Sequence, residues 1–569
     1  MDSTAGFRIL DLLPANYDDD LCCNIRNVEL GTCEPYEALS YVWGDQLNLE
    51  PIRVADATVK ITKSLQAALR RLRQPSAIRP IWVDQLCINQ LDSRDKTRQV
   101  SIMRQIYKNC SRCLIWLGEL PDTLAVSDAE GTFDFICMCA GQWRDSEFIP
   151  PGLSTPDRLA RAHDAFKALV LDGNPWWSRI WTVQEVVLPS NALVLWGPLC
   201  LPWITFKQAA RRLCSARFPR LHFSILDTFR DIVNNFTGPV RGLEIAEAGE
   251  SPLNILQRWR YRKATDPRDK AFALMGVFSH TPIPGVQICD YDMSVVNLYK
   301  KVTTGLIQSE KGLRPLVGLR PNSIPYLPSC AIDLSQTPCD NTPHWWWNHS
   351  HRYQKFAADC GEDLQFTSPL HEGSLLSLRG ILADTVQNFG SPLRGDDPES
   401  VSNEQIIEST KIWQQLMERS LGYRRYPSGE TPADVFWRTM MGDLLMQELP
   451  LRRANDNDAR TAALQFHGGS PLNKLICDSV RMMIVGQTFF VTERGYVGVG
   501  PSNSVEGDEV WVLSGGKVPF ILRPSTGDKS PRSSATPVFS LIGDAFVYGI
   551  MDGEAMALRK SGPQAVYLN

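Results

Sequence analysis

The sequence lacks a marked excess of charge of either sign. It contains 59 Lys and Arg residues against 63 Asp and Glu residues, for a net charge of −4, and it has no basic tail or stripe. Binding to nucleic acid regardless of base sequence requires such a cationic surface, so we expect no nucleic-acid partner. With 43% hydrophobic and 21% charged residues, the 569-residue chain has the composition of a folded protein with several domains.

The sequence also lacks the apolar core of a secretory leader, and its first residues, MDSTAGFRILDLLPANYDDD, are acidic. Its 15 cysteines are scattered and odd in number, which favours a reduced, cytoplasmic setting without disulfides. The uncharged stretch from Val186 to Phe206 is long enough to resemble a membrane span. It is interrupted by Pro189, Gly197, Pro198 and Pro202, so it predicts a strand, a turn and a strand in a soluble protein without a membrane partner.

Familiar catalytic and metal-binding motifs are absent as well. The sequence has no GxSxG, Walker or HExxH motif, and Cys110 and Cys113 form a lone CxxC without a second pair at zinc spacing. His344, His349 and His351 match no strong ligand pattern, and Gly498 to Pro501 predicts a turn because no helix follows it. We therefore expect no metal ion and no cofactor.

What the chain does contain is an alternation of short apolar runs and amphipathic helices. Glu37–Trp43, Ile81–Ile88 and Ser111–Leu117 predict buried strands, and Ser64–Arg73 and Ser93–Asn109 predict helices. This order predicts an α/β domain with a parallel sheet. The domain organisation that we predict is an irregular lead-in over 1–35, the α/β domain over 36–200, a helical region over 201–313, a connector rich in proline and tryptophan over 314–372, and a mixed C-terminal region over 373–569 that ends in β structure.

Three blocks place acidic side chains beside apolar runs. YEALSYVWGD ends at Asp45, IWVDQLCINQ contains Asp84, and NPWWSRIWTVQE ends at Glu185. In parallel sheets, ligands bind beyond the carboxyl ends of the strands, where Asp45 and Asp84 are expected. The alternative is that both residues only accept hydrogen bonds from loop amides. Magnesium binding by the pair is a third interpretation, but the neighbours are amides rather than further acids.

The block that ends at Glu185 predicts a helix over Asn174–Leu188, with Trp177, Trp181 and Glu185 four residues apart on neighbouring sides. A carboxylate one turn from an indole can hold a ribose hydroxyl or stabilise a developing cation while the indole stacks on a ring. The alternative is that Glu185 pairs with an arginine such as Arg179 and the tryptophans only pack.

Several strings closely resemble one family, the fungal heterokaryon-incompatibility (HET) domain. They are SYVWGD, WVDQLCINQ, YKNCSRCLIWLG, WWSRIWTVQE and, downstream, ATDPRDKAFALMGV. The resemblance implies a role in nonself recognition after hyphal fusion, with growth arrest or programmed cell death as the outcome. It also implies a possible incompatibility partner protein.

The HET domain is in turn considered similar to the TIR domain, which has a flavodoxin-like sheet. WTVQE at Trp181–Glu185 resembles the TIR helix whose glutamate is catalytic in NAD-cleaving members, with threonine replacing a cysteine. This resemblance implies that Glu185 is catalytic, that NAD is a substrate, that Trp43 or Trp181 stacks on a ring, and that Asp45 and Asp84 orient loops or hydroxyls. The competing expectation is a non-enzymatic signalling scaffold that self-associates through the TIR-like domain.

Overall fold

The computed structural model describes residues 6–142, 148–170, 174–215, 223–278, 282–286, 288–318, 323–335, 353–365, 376–395, 400–422, 425–445, 451–468, 473–525, 538–557 and 562–569. The chain forms two compact units. The first comprises Met1–Pro282 and Gln287–Met293, and the second comprises Ile283–Val286 and Ser294–Asn569.

The first unit is built on a nine-stranded sheet in the order β5-β4-β2-β1-β6-β3-β7-β8-β9. The strands are β1 (Gly6–Leu12), β2 (Cys22–Glu29), β3 (Glu37–Ser40), β4 (Leu49–Val54), β5 (Ala57–Thr62), β6 (Arg79–Trp82), β7 (Arg112–Trp116), β8 (Ala192–Trp196) and β9 (Leu199–Pro202).

The centre of this sheet is parallel. β3 pairs in parallel with β6 on one side and with β7 on the other, and β7 pairs in parallel with β8. The outer part is mixed, because β1 pairs antiparallel with both β2 and β6, and β9 pairs antiparallel with β8. The predicted parallel sheet is therefore correct for β6, β3, β7 and β8, and the sheet as a whole is mixed, with one further parallel pair between β2 and β4.

The lead-in over residues 1–35 is not irregular as expected. Its two apolar runs form the antiparallel pair β1 and β2, with Phe7, Ile9, Leu10 and Leu12 buried. The three aspartates at 18–20 lie in the turn between them rather than in a disordered leader. β1 also joins β6, so the lead-in completes one side of the sheet.

Helices cover the sheet and continue into the region after residue 200. They are α1 (Lys63–Leu72), α2 (Asp84–Cys87), α3 (Ser93–Asn109), α4 (Val126–Ala140), α5 (Pro156–Val170), α6 (Thr182–Val187), α7 (Trp203–Leu213), α8 (Phe223–Phe229), α9 (Val233–Ala248), α10 (Pro252–Trp259) and α11 (Asp269–Met275). The predicted helix Ser93–Asn109 is confirmed residue for residue. Asp92 begins it by accepting hydrogen bonds from the amides of Arg94 and Asp95.

The predicted single helix over Asn174–Leu188 is wrong. A 3₁₀ turn covers Pro175–Ser178, and α6 begins only at Thr182. The backbone between them is pulled out of helical geometry because Lys263 donates to the Ser178 carbonyl (2.5 Å) and accepts from the Ile180 amide (3.0 Å). This tertiary pairing overrides the local helical preference and turns Arg179 away from the helix.

The second unit begins with α12 (Val295–Glu310) and contains an eight-stranded, largely antiparallel sheet. Its other helices and strands are β10 (Leu376–Phe389), α13 (Asn403–Leu421), α14 (Pro432–Met440), β11 (Leu444–Leu445), β12 (Arg452–Arg453), α15 (Asp456–Phe466), α16 (Lys474–Ile484), β13 (Gln487–Thr492), β14 (Val497–Pro501), β15 (Glu509–Leu513), β16 (Phe520–Pro524), β17 (Val538–Asp544), β18 (Phe546–Val547), α17 (Glu554–Ala557) and β19 (Gln564–Leu568).

The turn predicted at Gly498–Pro501 is instead part of β14, which pairs with β13. A Cβ atom on Gly498 would lie 2.5 Å from the Phe490 ring, so glycine is required here for close packing and not for a turn. Among the helices that the structure describes, none combines the length and the apolar character needed to cross a membrane.

Candidate functional site

The candidate site lies at the carboxyl end of the parallel centre of the first unit's sheet. Ser40 is the last residue of β3, the strand between β6 and β7, and its hydroxyl donates to Oε2 of Glu185 at 2.5 Å. Glu185 lies on α6, and its side chain is 2% exposed. The structure therefore brings Glu185 to the edge of the sheet where α/β proteins bind ligands.

A buried tryptophan sets the direction of the Ser40 hydroxyl. The Trp176 indole Nε1 donates to Ser40 Oγ at 2.9 Å. An indole N–H can only donate, so Ser40 must accept from Trp176 and direct its own proton to Glu185. This chain of two hydrogen bonds stabilises the ionised form of the carboxylate.

The second carboxylate oxygen of Glu185, Oε1, differs from Oε2 in its hydrogen bonding. Among the residues that the structure describes, none donates a hydrogen bond to Oε1, whereas Oε2 is held by Ser40. A carboxylate oxygen in a side chain this deeply buried usually has a partner. Oε1 therefore retains the capacity to accept a hydrogen bond.

A second layer of side chains lies beside Glu185. Asp84 follows β6, and its Oδ2 accepts a hydrogen bond from the Trp43 indole at 2.8 Å. Arg179 lies 3.8 Å from the same oxygen, and its guanidinium carbon is 5.9 Å from the centre of the Trp43 ring. Arg179 also donates to the backbone carbonyl of Tyr41. Two strand ends and the segment before α6 thus converge on one charged and aromatic cluster.

Burial raises the pKa of Glu185 to about 7. Arg179, the Ser40 hydrogen bond and Arg262 act in the opposite direction, and the negative charge of Asp84 adds to the increase. The group therefore titrates near neutral pH. A perturbed carboxylate at the end of a central strand is typical of a functional site, although structural networks also produce such shifts.

The pKa of Asp84 is also raised, mainly by burial, and is opposed by Arg179 and by the Trp43 hydrogen bond. Arg179 therefore interacts with two carboxylates at once. The pairing of Glu185 with Arg179 that the sequence left open is a through-space attraction, because the atoms that contact Glu185 directly belong to Ser40.

Arg262 supports the site through a contact with α6. The sequence did not predict this role. Arg262 is fully buried, and its Nη1 donates to Oγ1 of Thr182, the first residue of α6, at 2.5 Å. Lys270 in turn donates to the carbonyls of Arg260 and Arg262. The only sequence signal is that both cations belong to or adjoin the ATDPRDKAFALMGV string, which resembles the family.

The structure does not bring every predicted site residue into this cluster. Asp45 is exposed, and its Oδ1 accepts from the amide of Leu47 at 2.8 Å, which is the local turn that the alternative interpretation described. Trp181 is half-buried and interacts with Asp269, which also accepts a hydrogen bond from Tyr291. Glu185, Asp84 and Trp43 are together, whereas Asp45 and Trp181 have other contacts.

No group of three or more potential metal-binding side chains was found within the described residues. Cys110 and Cys113 are buried thiols, and the pKa of each is raised by burial, which disfavours the thiolate that a metal requires. The histidines at 344, 349 and 351 lie outside the described residues.

Comparison with known proteins gives two family matches in the same chain. Residues 36–185 match the heterokaryon incompatibility protein (HET) family, and residues 453–564 match the Het-6 beta-barrel domain. The first match ends at Glu185 and contains Ser40, Trp43, Asp84 and Arg179. The second covers most of the β structure after β12.

The chain is also similar to a curated protein from Neurospora crassa, "Heterokaryon incompatibility protein 6, OR allele". The two are 25% identical, and the alignment covers 97% of this chain and 95% of the relative. No solved structure matches. The resemblance seen in the sequence is thus confirmed: the chain contains a HET domain, and its similarity to a fungal heterokaryon incompatibility protein extends over nearly its whole length.

Proposed function

We propose that this protein acts in heterokaryon incompatibility, the recognition of nonself between fused fungal cells. Support comes from the full-length similarity to a protein named for that process and from the matching HET domain. We propose the cytoplasm as its location and programmed cell death as the outcome of its activity.

For the chemistry, we infer cleavage of the bond between nicotinamide and ribose in NAD, with Glu185 as the catalytic carboxylate. The observation that carries this inference is the unpartnered Oε1 of Glu185 at the carboxyl end of β3. When the C1′–N bond breaks, its electron pair leaves with nicotinamide, which departs neutral. Water then adds to C1′ and releases a proton. The transition state is cationic at the sugar, and a positioned carboxylate stabilises it.

The raised pKa of Glu185 is compatible with this role because the substrate itself carries a positive charge on the nicotinamide ring. A cation within a few ångströms favours the ionised carboxylate and lowers its pKa. Substrate binding would therefore deprotonate Glu185 at the moment when its charge is needed. Trp43 offers a ring face, and Asp84 can accept from a ribose hydroxyl.

The test is release of nicotinamide from NAD by the purified full-length protein. We expect turnover by the wild type and a loss of at least about a hundredfold in Glu185→Gln, which keeps the size of the side chain and removes its charge. Glu130→Gln is the matched control, since Glu130 is an exposed carboxylate on α4. Equal turnover by the wild type and Glu185→Gln, or none by the wild type, contradicts the catalytic proposal.

A second candidate function is a non-enzymatic scaffold that self-associates. Two observations favour it: Glu185 is closed off from solvent in this structure, and Leu47 and Leu91 are 95% and 99% exposed. Leu47 lies in the loop after β3, and Leu91 lies between α2 and α3, which follow β6. β3 and β6 are neighbours in the sheet, and contiguous exposed apolar surface marks an interaction site.

Light scattering on the double variant Leu47→Ser, Leu91→Ser distinguishes the two candidates. If the scaffold is correct, the wild type forms oligomers, the double variant is monomeric, and Glu185→Gln assembles like the wild type. If the wild type is monomeric at all concentrations and consumes NAD, the scaffold proposal is wrong.

A further inference from the structure

Arg179 occupies an unusual position in the site. Its guanidinium lies beside the Trp43 ring and 3.8 Å from Asp84. Its positive charge is also the largest of the effects that lower the pKa of Glu185. A ring face with two carboxylates beside it is the environment that proteins use to bind organic cations. In this structure the chain supplies that cation itself.

Arg179 is only weakly held there. A guanidinium carries five N–H donors, and the hydrogen bond that Arg179 makes is to the Tyr41 backbone carbonyl. The separation of 3.8 Å from Asp84 is an ion pair but not a hydrogen bond, and the side chain is 23% exposed. A ligand that carries its own positive charge would replace the guanidinium beside Asp84 and Glu185, so the exchange would leave neither acid without a counter-charge.

Glu185, in contrast, has an oxygen without a hydrogen-bond donor among the described residues. This oxygen is Oε1, and the side chain that carries it is buried. Asp84 shares Arg179 with Glu185, so one guanidinium faces two acids. Arg179 makes no hydrogen bond to Oε1 of Glu185, so this acceptor remains for a ligand that carries its own donors.

We propose that this site binds a planar organic cation and that Arg179 is an intramolecular competitor that the ligand displaces. The arginine keeps the acids partly neutralised while the site is empty and withdraws towards solvent when a flat, singly charged ring enters. The proposal concerns the same site as the proposed NAD cleavage and rests on that function only for the choice of ring. It adds that the ligand is a cation and that Arg179 competes with it for the site.

The test is calorimetric titration of the full-length protein with 1-methylnicotinamide, a flat cation without phosphates, and with neutral nicotinamide as the matched probe. Arg179→Gln is expected to bind the cation about tenfold more tightly than the wild type, because the competing charge is gone. Binding of neutral nicotinamide is expected to change by less than about twofold. Arg179→Lys keeps the charge and is expected to bind as weakly as the wild type.

The double variant Arg179→Gln, Glu185→Gln tests whether the charge of Glu185 attracts the cation. It is expected to lose the tenfold gain in affinity for 1-methylnicotinamide. Unchanged or weaker cation binding by folded Arg179→Gln overturns the proposal, as does an equal gain in Arg179→Lys. If Arg179→Gln does not fold, the lysine variant and the wild type still decide: selective wild-type binding of the cation over nicotinamide supports the site, and equal or absent binding overturns it.

Experiment can contradict the cation site and the NAD cleavage independently. A gain in cation affinity without any NAD turnover supports the cation site and removes the cleavage reaction. NAD turnover together with weaker cation binding in Arg179→Gln keeps the reaction and shows that Arg179 assists the ligand instead of competing with it.

Discussion

At the residue scale, a glutamate lies at each end of β3, and the pKa values of the two glutamates are shifted in opposite directions. Glu37, at the start of the strand, accepts from Arg79 at 2.6 Å and from Arg112 at 2.8 Å, and these partners hold its pKa below the ordinary value of 4.5 against the effect of burial. Glu185 is held at the other end by a hydroxyl, and burial raises its pKa to about 7. The first arrangement stabilises the fold, whereas the second costs stability whenever the group is ionised.

The pH dependence of stability is the first prediction. The folded pKa of Glu185 is above its unfolded value of 4.5, so the unfolded chain loses the proton first and stability falls as pH rises from 4.5 to about 7. In Glu185→Gln this loss is absent. We expect the free energy of unfolding of the variant, relative to wild type, to rise by about 2 to 3 kcal/mol between pH 5 and pH 8.

Urea denaturation at both pH values measures this difference, and Glu37→Gln is its control. The lowered pKa of Glu37 gives stability that is present above 4.5 and lost as pH falls. Glu37→Gln should therefore be less stable than wild type at pH 8, with a deficit that shrinks in acid. A constant difference between Glu185→Gln and wild type at all pH values would show that Glu185 is not perturbed.

At the element scale, the sequence predicted helices and strands well where local pattern and tertiary contacts agree. α3 matches its prediction, and the second half of the Val186–Phe206 stretch forms the predicted strand, turn and strand. The prediction of one helix over 174–188 failed because Lys263, far away in the sequence, pairs with Ser178 and Ile180. No local pattern contains that information.

The failure concerns the site directly. Had the helix been continuous, Trp177, Trp181 and Glu185 would share a side, as the spacing implied. The break turns Arg179 towards Asp84 and Trp43 instead, and Trp181 towards Asp269. Trp43 and Asp84 could be placed in the site from the strands that precede them, and Glu185 from its resemblance to the TIR glutamate, whereas the contacts of Ser40, Arg179 and Arg262 depend on tertiary structure.

Because α6 has only six residues, it depends on outside contacts for its position. Thr182 Oγ1 donates to the Arg179 carbonyl at 2.8 Å and accepts from buried Arg262 at 2.5 Å. We predict that Thr182→Val lowers the free energy of unfolding by about 2 to 3 kcal/mol, since the buried Arg262 guanidinium loses its acceptor at 2.5 Å and keeps the more distant Arg179 carbonyl at 3.3 Å. Thr182→Ser, which keeps the hydroxyl, should lose less than about 1 kcal/mol.

A double-mutant cycle assigns this loss to the pair. Arg262→Met removes the buried charge, so in that background Thr182→Val should cost at least about 1 kcal/mol less than in the wild type, as measured by urea denaturation. If the two effects simply add, then the hydrogen bond does not hold α6, and the hydroxyl acts only through the Arg179 carbonyl.

At the scale of the whole molecule, each compact unit contains a sheet of its own. The sequence placed boundaries at 200, 313 and 372 from changes in composition, whereas the chain divides near residues 283–294. Amino-acid composition shows where the sequence pattern changes, whereas the limits of a compact unit are set by the tertiary contacts of its residues. The helices between 203 and 275 carry a separate pattern and still pack in the first unit, for example α7 against α4 through Phe206 and Phe133.

The division leads to a prediction about fragments. Residues 287–293 belong to the first unit, and Tyr291 is 8% exposed there, with its hydroxyl 2.6 Å from Asp269 and its ring 5.2 Å from that of Phe272. A fragment of residues 1–293 should therefore fold by itself and keep the pH dependence produced by Glu185. A fragment of residues 1–282 lacks Tyr291 and leaves the half-buried Asp269 without that donor.

We expect the shorter fragment to unfold at least about 2 kcal/mol more easily in urea, from the lost hydrogen bond and the lost ring together. Tyr291→Phe in the 1–293 fragment separates the two contributions, because it removes only the hydroxyl and should cost about 1 kcal/mol. Equal stability of the two fragments would mean that 287–293 is not part of the first unit. A 1–293 fragment that fails to fold would mean that the first unit depends on the second for its stability, so that loss of the second unit would also abolish the site.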